Sequence, residues 1–122
     1  MTIIVSGTGI AGMSAALAAA NAGHKVTLCG HLASLPPAGG IQIAPNGWHA
    51  LDQLGLFDAA IKRANQLDHI IVRDLNNGAT LTRLNLANRY ASFGRADLLD
   101  LLQGAVAKHS GITQHLALIS QA

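Results

Sequence analysis

Glutamate is absent from this chain of 122 residues, and no carboxylate side chain occurs before Asp52. All six acidic residues are aspartates, set against eight lysines and arginines, for a formal net charge of +2. A surplus that small, with no basic cluster longer than two residues, gives nucleic acid no electrostatic footprint. Cys29 is the only cysteine, which excludes an internal disulfide and suits a reducing compartment. Aromatic residues number four: Trp48, Phe57, Tyr90 and Phe93. A core must therefore be built mainly from alanine, leucine, isoleucine and valine, as where helices pack on a parallel sheet. The histidines at 24, 31, 49, 69, 109 and 115 show no metal-ligand spacing with cysteine or carboxylates. No apolar run is long enough to span a membrane once Gly7, Gly9, Gly12, Ser14 and Asn21 are counted. Residues 2–20 have the apolarity of a secretion signal, but no lysine or arginine precedes them and glycines interrupt them. A cytoplasmic protein is expected.

What the N-terminal region has is order. Thr2-Ile3-Ile4-Val5-Ser6 reads as a strand buried on both faces. The loop Gly7-Thr8-Gly9-Ile10-Ala11-Gly12 follows directly. Small, helix-favouring residues run from there to Ala22, and Gly23 is placed to end the helix in a left-handed conformation. Lys25–Cys29 is a second strand. Strand, glycine loop, helix and strand within about 30 residues make a βαβ unit with a right-handed crossover.

That context gives the glycines a chemical meaning. A helix N-terminus offers unpaired N–H groups and about half a positive charge to an anion. Gly7 permits the tight turn out of the strand, Gly9 lets phosphates approach the backbone, and Gly12 lets the helix pack close to the sheet. The loop reads as a cradle for a cofactor pyrophosphate. The usual acid about 20 residues on, which accepts bonds from the adenosine ribose, is missing: the second strand ends Cys29-Gly30-His31.

Further along, Gly40–Ala44 is a short extended piece in a loop rich in proline and glycine. Asn46 is placed to cap a helix through Leu54, ended by Gly55, and Leu56–Ala64 reads as another short helix. His69–Asp74, the turn Asn76-Asn77-Gly78 and the alternating Thr80–Leu86 predict an antiparallel hairpin. A helix starting at Ser92 or Arg95 runs to about Lys108, and His115–Ser120 reads as a last strand. Arginine at a helix start works against the helix dipole, which points to a ligand for Arg95 rather than a stabilising role.

Several of these segments resemble the FAD-dependent aromatic-ring hydroxylases, the class A flavoprotein monooxygenases, in their salicylate-hydroxylase-like branch. The resemblance is carried by Ile3–Ala16, Gly23–Leu28, Gly39–Asn46, Ala50–Leu56 and Gly94–Leu102, in that order, and runs from residue 2 to about 118. It implies an α/β fold: a Rossmann-like FAD-binding βαβ with a parallel sheet and an antiparallel hairpin insertion at about 68–87. Residues 1–122 would then be a partial FAD-binding domain. It places Gly7, Gly9, Ile10, Ala11 and Gly12 on the pyrophosphate. Gly30 and His31 fall at the ribose-binding acid and the residue after it, Gln42 near the flavin, Arg95 on the cofactor, and Leu116 at a backbone contact to adenine. The implied activity is hydroxylation of a small aromatic substrate using NAD(P)H and oxygen. The later family segments, an Asp-Gly stretch, a substrate-binding sheet and a Gly-Asp stretch, are not found here, so the likeness is to the N-terminal portion, with a C-terminal portion expected as its partner. Two other readings remain open: an NAD(P)-binding oxidoreductase module, and a truncated, non-catalytic remnant.

Overall fold

The computed structural model describes residues 1–31 and 38–116, with the backbone alone at residues 87 and 88. The chain forms β1 (Thr2–Ser6), α1 (Ile10–Asn21), β2 (Lys25–Cys29), β3 (Gly40–Ile43), α2 (Pro45–Gln53) and α3 (Phe57–Ile61). It continues through β4 (Asn65–Arg73), β5 (Thr80–Gly94), α4 (Arg95–Lys108) and β6 (Ile112–His115).

The strands form two sheets. The first is parallel, in the order β1-β2-β6, with Ile4 opposite Thr27 and Thr27 opposite Thr113. Val26 and Leu28 on the central strand are 2% and 1% exposed. They join one core cluster with Leu17 of α1 and with Leu102 and Val106 of α4, and Ile3, Val5 and Ile112 pack against it from either side. Leucines and alanines at helical spacing thus cover one face of the sheet. Among the described residues the other face is open at β1: Thr2, Ile4 and Ser6 are exposed, Ile4 by 72%. This corrects the expectation that β1 is buried on both faces. An uncharged β-branched run is the signature of a doubly covered strand, but among the described residues only one covering layer is present.

The second sheet is antiparallel, in the order β3-β5-β4. Ile43, Ala91 and Phe93 bury one of its faces with Trp48 and Leu51 of α2, and with Leu56 and Ala60. The Trp48 ring meets Phe57 edge-on at 5.6 Å and Phe93 at 6.4 Å, an arrangement aromatic pairs favour. Arg63 ties the end of α3 to α4 through Asp100, at 2.8 Å.

Several expected boundaries move. Helix α2 starts at Pro45 with Ala44 as its cap residue, because proline at the first helical position needs no N–H partner and sets φ for the helix. Asn46 therefore lies inside the helix rather than capping it. Helix α3 is shorter than Leu56–Ala64. Strand β5 runs 15 residues where an end at Leu86 is expected. It continues because its last residues are paired on both sides: Ser92 and Ala91 face Asn65 and Gln66 of β4, while Gly94 through Ala91 face Gly40–Ile43. Strand β4 accordingly begins at Asn65, ahead of His69. The turn between them is closed by the Asp74 amide on the Ala79 carbonyl at 2.8 Å, with Gly78 at φ +71°. Strand β6 is Ile112–His115; residues 117–120 of the expected last strand lie outside the described residues. Among the described residues, no helix is long and apolar enough to cross a membrane.

Candidate functional site

The carboxyl ends of the parallel strands carry the site. Gly7 leaves β1 at φ +121°, a conformation that L side chains rarely adopt. Its amide donates to the Cys29 carbonyl at 2.7 Å, so the loop is stitched to β2 as it turns. Gly9 is the cap residue of α1, and its carbonyl accepts the first helical bond, from the Met13 amide at 3.0 Å. The amides of Ile10, Ala11 and Gly12 precede that bond in the first turn, where the helix itself provides no acceptor. No atom lies within 4 Å of a Cβ built on Gly9. A Cβ on Gly12, by contrast, would land on the Gly7 carbonyl group. The loop therefore has open space where a ligand would approach and backbone-to-backbone contact where the helix meets the turn. No acidic residue stands in the first turn of α1 to neutralise the positive end of its dipole. The three glycines thus provide what a pyrophosphate needs: donors, access and a favourable potential.

Other candidate residues join this edge. Gly30 and His31 follow β2, and Leu116 follows β6. The Gly30 amide donates to the His115 carbonyl at 3.1 Å, so the strand ends on either side of the loop are linked. Thr8, absent from the residues singled out by sequence, joins them in the structure. Its Oγ1 donates to the His31 carbonyl at 2.5 Å, joining the glycine loop to the residue after β2. The only sequence signal was a β-branched hydroxyl residue inside a glycine loop.

Gln42 and Arg95 belong to the antiparallel sheet and to the helix that follows it. Gln42 pairs with Ser92 across β3 and β5. Gly40 pairs with Gly94 next to it, and the Arg95 amide donates to the Gly39 carbonyl at 3.0 Å. Arg95 is the first residue of α4, with an exposed side chain. Among the described residues, no hydrogen bond joins Arg95 or Gln42 to the glycine loop.

A separate cavity of about 540 Å³ opens between α2, α3 and β5, lined by Pro45, Trp48, His49, Asp52, Phe57 and Arg89. The Arg89 guanidinium lies 4.5 Å over the Phe57 ring. The Trp48 indole N–H is buried without a partner among the described residues. On the hairpin, the His69 Nδ1, 2.6 Å from the carboxylate, holds Asp68 below the ordinary carboxylate range, by hydrogen bonding first and charge second. No group of three potential metal ligands occurs among the described residues.

Comparison with known proteins agrees with this geometry. In sequence, the chain is 34% identical over 115 residues to the 3-hydroxybenzoate 6-hydroxylase of Polaromonas naphthalenivorans, covering 86% of this chain and 29% of that protein. It is 38% identical over 121 residues to a 3-amino-4-hydroxybenzoate 2-monooxygenase of Streptomyces platensis, covering 88% and 31%. In structure, it matches Klebsiella pneumoniae HpxO, solved with FAD and uric acid, at a TM-score of 0.76 and 25% identity over 93% of this chain and 30% of that one. The p-nitrophenol 4-monooxygenase of Pseudomonas putida shares the fold at a TM-score of 0.82 and 20% identity, over 93% and 32%. The chain thus spans about three tenths of the length of the relatives it matches. Residues 2–77, more than half of the chain and including the whole glycine loop, match the family model described as glucose inhibited division protein A, and the chain belongs to that family.

Proposed function

We propose that this chain is the FAD-binding portion of a flavin-dependent monooxygenase that hydroxylates a small aromatic substrate using NAD(P)H and oxygen. The observation that carries the reading is the glycine loop itself: Gly12 seated on Gly7, with Gly9 open beside the free amides of α1, at the carboxyl edge of a parallel sheet. The hydroxybenzoate monooxygenases among the sequence relatives support the substrate class.

In this reading Gly7, Gly9, Ile10, Ala11 and Gly12 hold the pyrophosphate. Gly30 and His31 border the adenosine ribose, and the backbone at Leu116 meets adenine. Arg95 reaches the cofactor from the start of α4, and Gln42 lies towards the flavin. The flavin supplies the redox chemistry when bound; these residues bind and orient it. The substrate-facing groups fall to the C-terminal portion of the longer relatives. A single half-buried thiol, Cys29, suits the reducing cytoplasm.

The test is a fluorescence titration of the purified chain with FAD, alongside calorimetric titrations with NADH and NADPH. Saturable binding of FAD in preference to both nicotinamides is expected. A folded chain that ignores FAD up to about millimolar concentration, where binding free energy falls to about 4 kcal/mol, would reject the reading. A preference for NADH or NADPH would replace it with a nicotinamide-binding module.

A further inference from the structure

We propose that Thr8 and Gly30 form one coupled determinant of ribose recognition, in which the threonine hydroxyl stands in for the missing acid. The proposal rests on the FAD reading for its ligand and on the geometry of two strand ends for its substance.

Dinucleotide-binding βαβ units generally place an Asp or Glu after the second strand, where its carboxylate accepts bonds from the ribose hydroxyls. Here that place is Gly30. The glycine is there for a spatial reason. A Cβ built on Gly30 would lie 2.7 Å from Thr8 Cγ2, and 3.1 Å from both Thr8 Oγ1 and the Thr8 amide nitrogen. Real Cβ atoms essentially never come as close as the 2.7 Å contact and rarely as close as 3.1 Å, so a side chain at position 30 requires the Thr8 side chain to shift.

Thr8 is not free to move. Its χ1 is restricted by β-branching, and its hydroxyl proton is committed to the His31 carbonyl at 2.5 Å. The backbone on both sides is also pinned. The Gly7 amide donates to Cys29 at 2.7 Å, and the Gly30 amide donates to His115 at 3.1 Å. The two positions therefore exclude each other: a hydroxyl on the loop, or a side chain after β2, but not both.

The choice changes the chemistry offered to the cofactor. With its proton on His31, Thr8 Oγ1 keeps lone pairs that accept a hydrogen bond. It is a neutral acceptor at the junction where the ribose acid would otherwise sit. No carboxylate from residues 1–51 supplements it. A neutral acceptor holds a hydroxyl less tightly than a carboxylate does, by roughly tenfold or more in affinity. The site thus binds the ribose through a weaker, uncharged contact while leaving the positive end of α1 unopposed for the pyrophosphate.

The experiment compares five forms of the 122-residue chain: wild type, Thr8→Ala, Gly30→Ala, Thr8→Ala/Gly30→Ala and Thr8→Ala/Gly30→Glu. Melting is followed by circular dichroism and FAD binding by flavin fluorescence. Gly30→Ala should melt below wild type, and adding Thr8→Ala should recover most of that deficit, because the two close approaches to the threonine side chain are gone. Thr8→Ala alone should weaken FAD binding by roughly 2- to 10-fold, as expected for one neutral hydrogen bond. Thr8→Ala/Gly30→Glu should bind FAD roughly 10-fold or more tightly than Thr8→Ala. Unchanged melting of Gly30→Ala, or additive deficits in Thr8→Ala/Gly30→Ala, would overturn the coupling. Unchanged FAD affinity in Thr8→Ala would overturn the ribose role. If none of the five binds FAD while the melting cycle shows recovery, the FAD reading falls and the exclusion between the two positions stands.

Discussion

Gly12→Ala and Gly9→Ala are the same chemical change three residues apart, and the structure assigns them opposite consequences. At Gly12 the added methyl meets the Gly7 carbonyl group, which is backbone on a turn pinned to Cys29 and has nowhere to go. Helix α1 must lift off the loop, and overpacking of this kind costs roughly 1–3 kcal/mol. Alanine's better helix propensity returns up to about 1 kcal/mol. The net cost is roughly 1–2 kcal/mol, which for a chain of this size lowers the melting temperature by roughly 4–8 °C. At Gly9 the methyl meets nothing within 4 Å, and φ of −81° suits any residue. Losing glycine at a cap position and restricting the unfolded chain are small effects of opposite sign, so stability should hold within about 0.5 kcal/mol. The methyl does, however, enter the open space beside the first turn of α1, where the proposed reading puts the phosphates. Gly9→Ala should therefore melt like wild type yet bind FAD at least about 10-fold more weakly, the equivalent of about 1.4 kcal/mol. Thermal unfolding by circular dichroism and flavin titration on both variants decide the matter. If Gly12→Ala melts with wild type, or if Gly9→Ala binds FAD unchanged, the division of labour assigned to the loop is wrong.

Other expectations follow from single residues. Trp48→Ala should cost roughly 3–5 kcal/mol in chemical denaturation, as for a large core aromatic, since Trp48 is 2% exposed and touches Phe57 and Phe93. Trp48→Phe should cost clearly less, because it also removes a buried N–H without a partner among the described residues. Arg95→Ala should leave the melting temperature unchanged, its side chain being exposed, and flavin titration should show FAD binding weakened roughly 10-fold or more, because a charged hydrogen-bond donor is removed. Asp68 is held below its ordinary range by His69, so its contribution to stability is present above the ordinary carboxylate pKa and lost as pH falls through the lowered value. Melting of wild type and Asp68→Asn should differ slightly at about pH 6 and converge towards about pH 2.5, below the carboxylate range; a gap that widens on acidification would contradict this.

The βαβ unit was legible in the sequence nearly to the residue. Strands β1 and β2 begin and end where expected, because Gly7 and Gly23 both take positive φ and punctuate the chain at fixed points. The second sheet was legible only in part. The alternation of Thr80–Leu86 marks a strand, but the continuation to Gly94 depends on partners at Asn65–Leu67 and Gly40–Ile43, which local pattern does not reveal. The open face of β1 escaped for the converse reason: an apolar run reports what a strand tolerates, and the layers around it decide what it receives. In the candidate site, each glycine could be read from the motif, whereas Thr8 could not. Its link to Gly30 and His31 exists only once β1 and β2 are set in register, with Ser6 opposite Cys29.

The hydrogen bond from Gly30 to His115 has a consequence for the order in which the site is made. The glycine loop precedes the rest of the site in the chain, and β1, α1 and β2 are local enough to pair early. The backbone beyond β2, however, is fixed through a strand that is synthesised only after the antiparallel sheet and α4. Parallel pairing across so long an interval closes a large loop and is intrinsically slow. The glycine loop proposed for the pyrophosphate is therefore an early local structure, while the backbone at Gly30 proposed to border the ribose is a late one. Ligand added during refolding should therefore meet a formed glycine loop before β6 has docked on β2, and a fixed Gly30 backbone only afterwards.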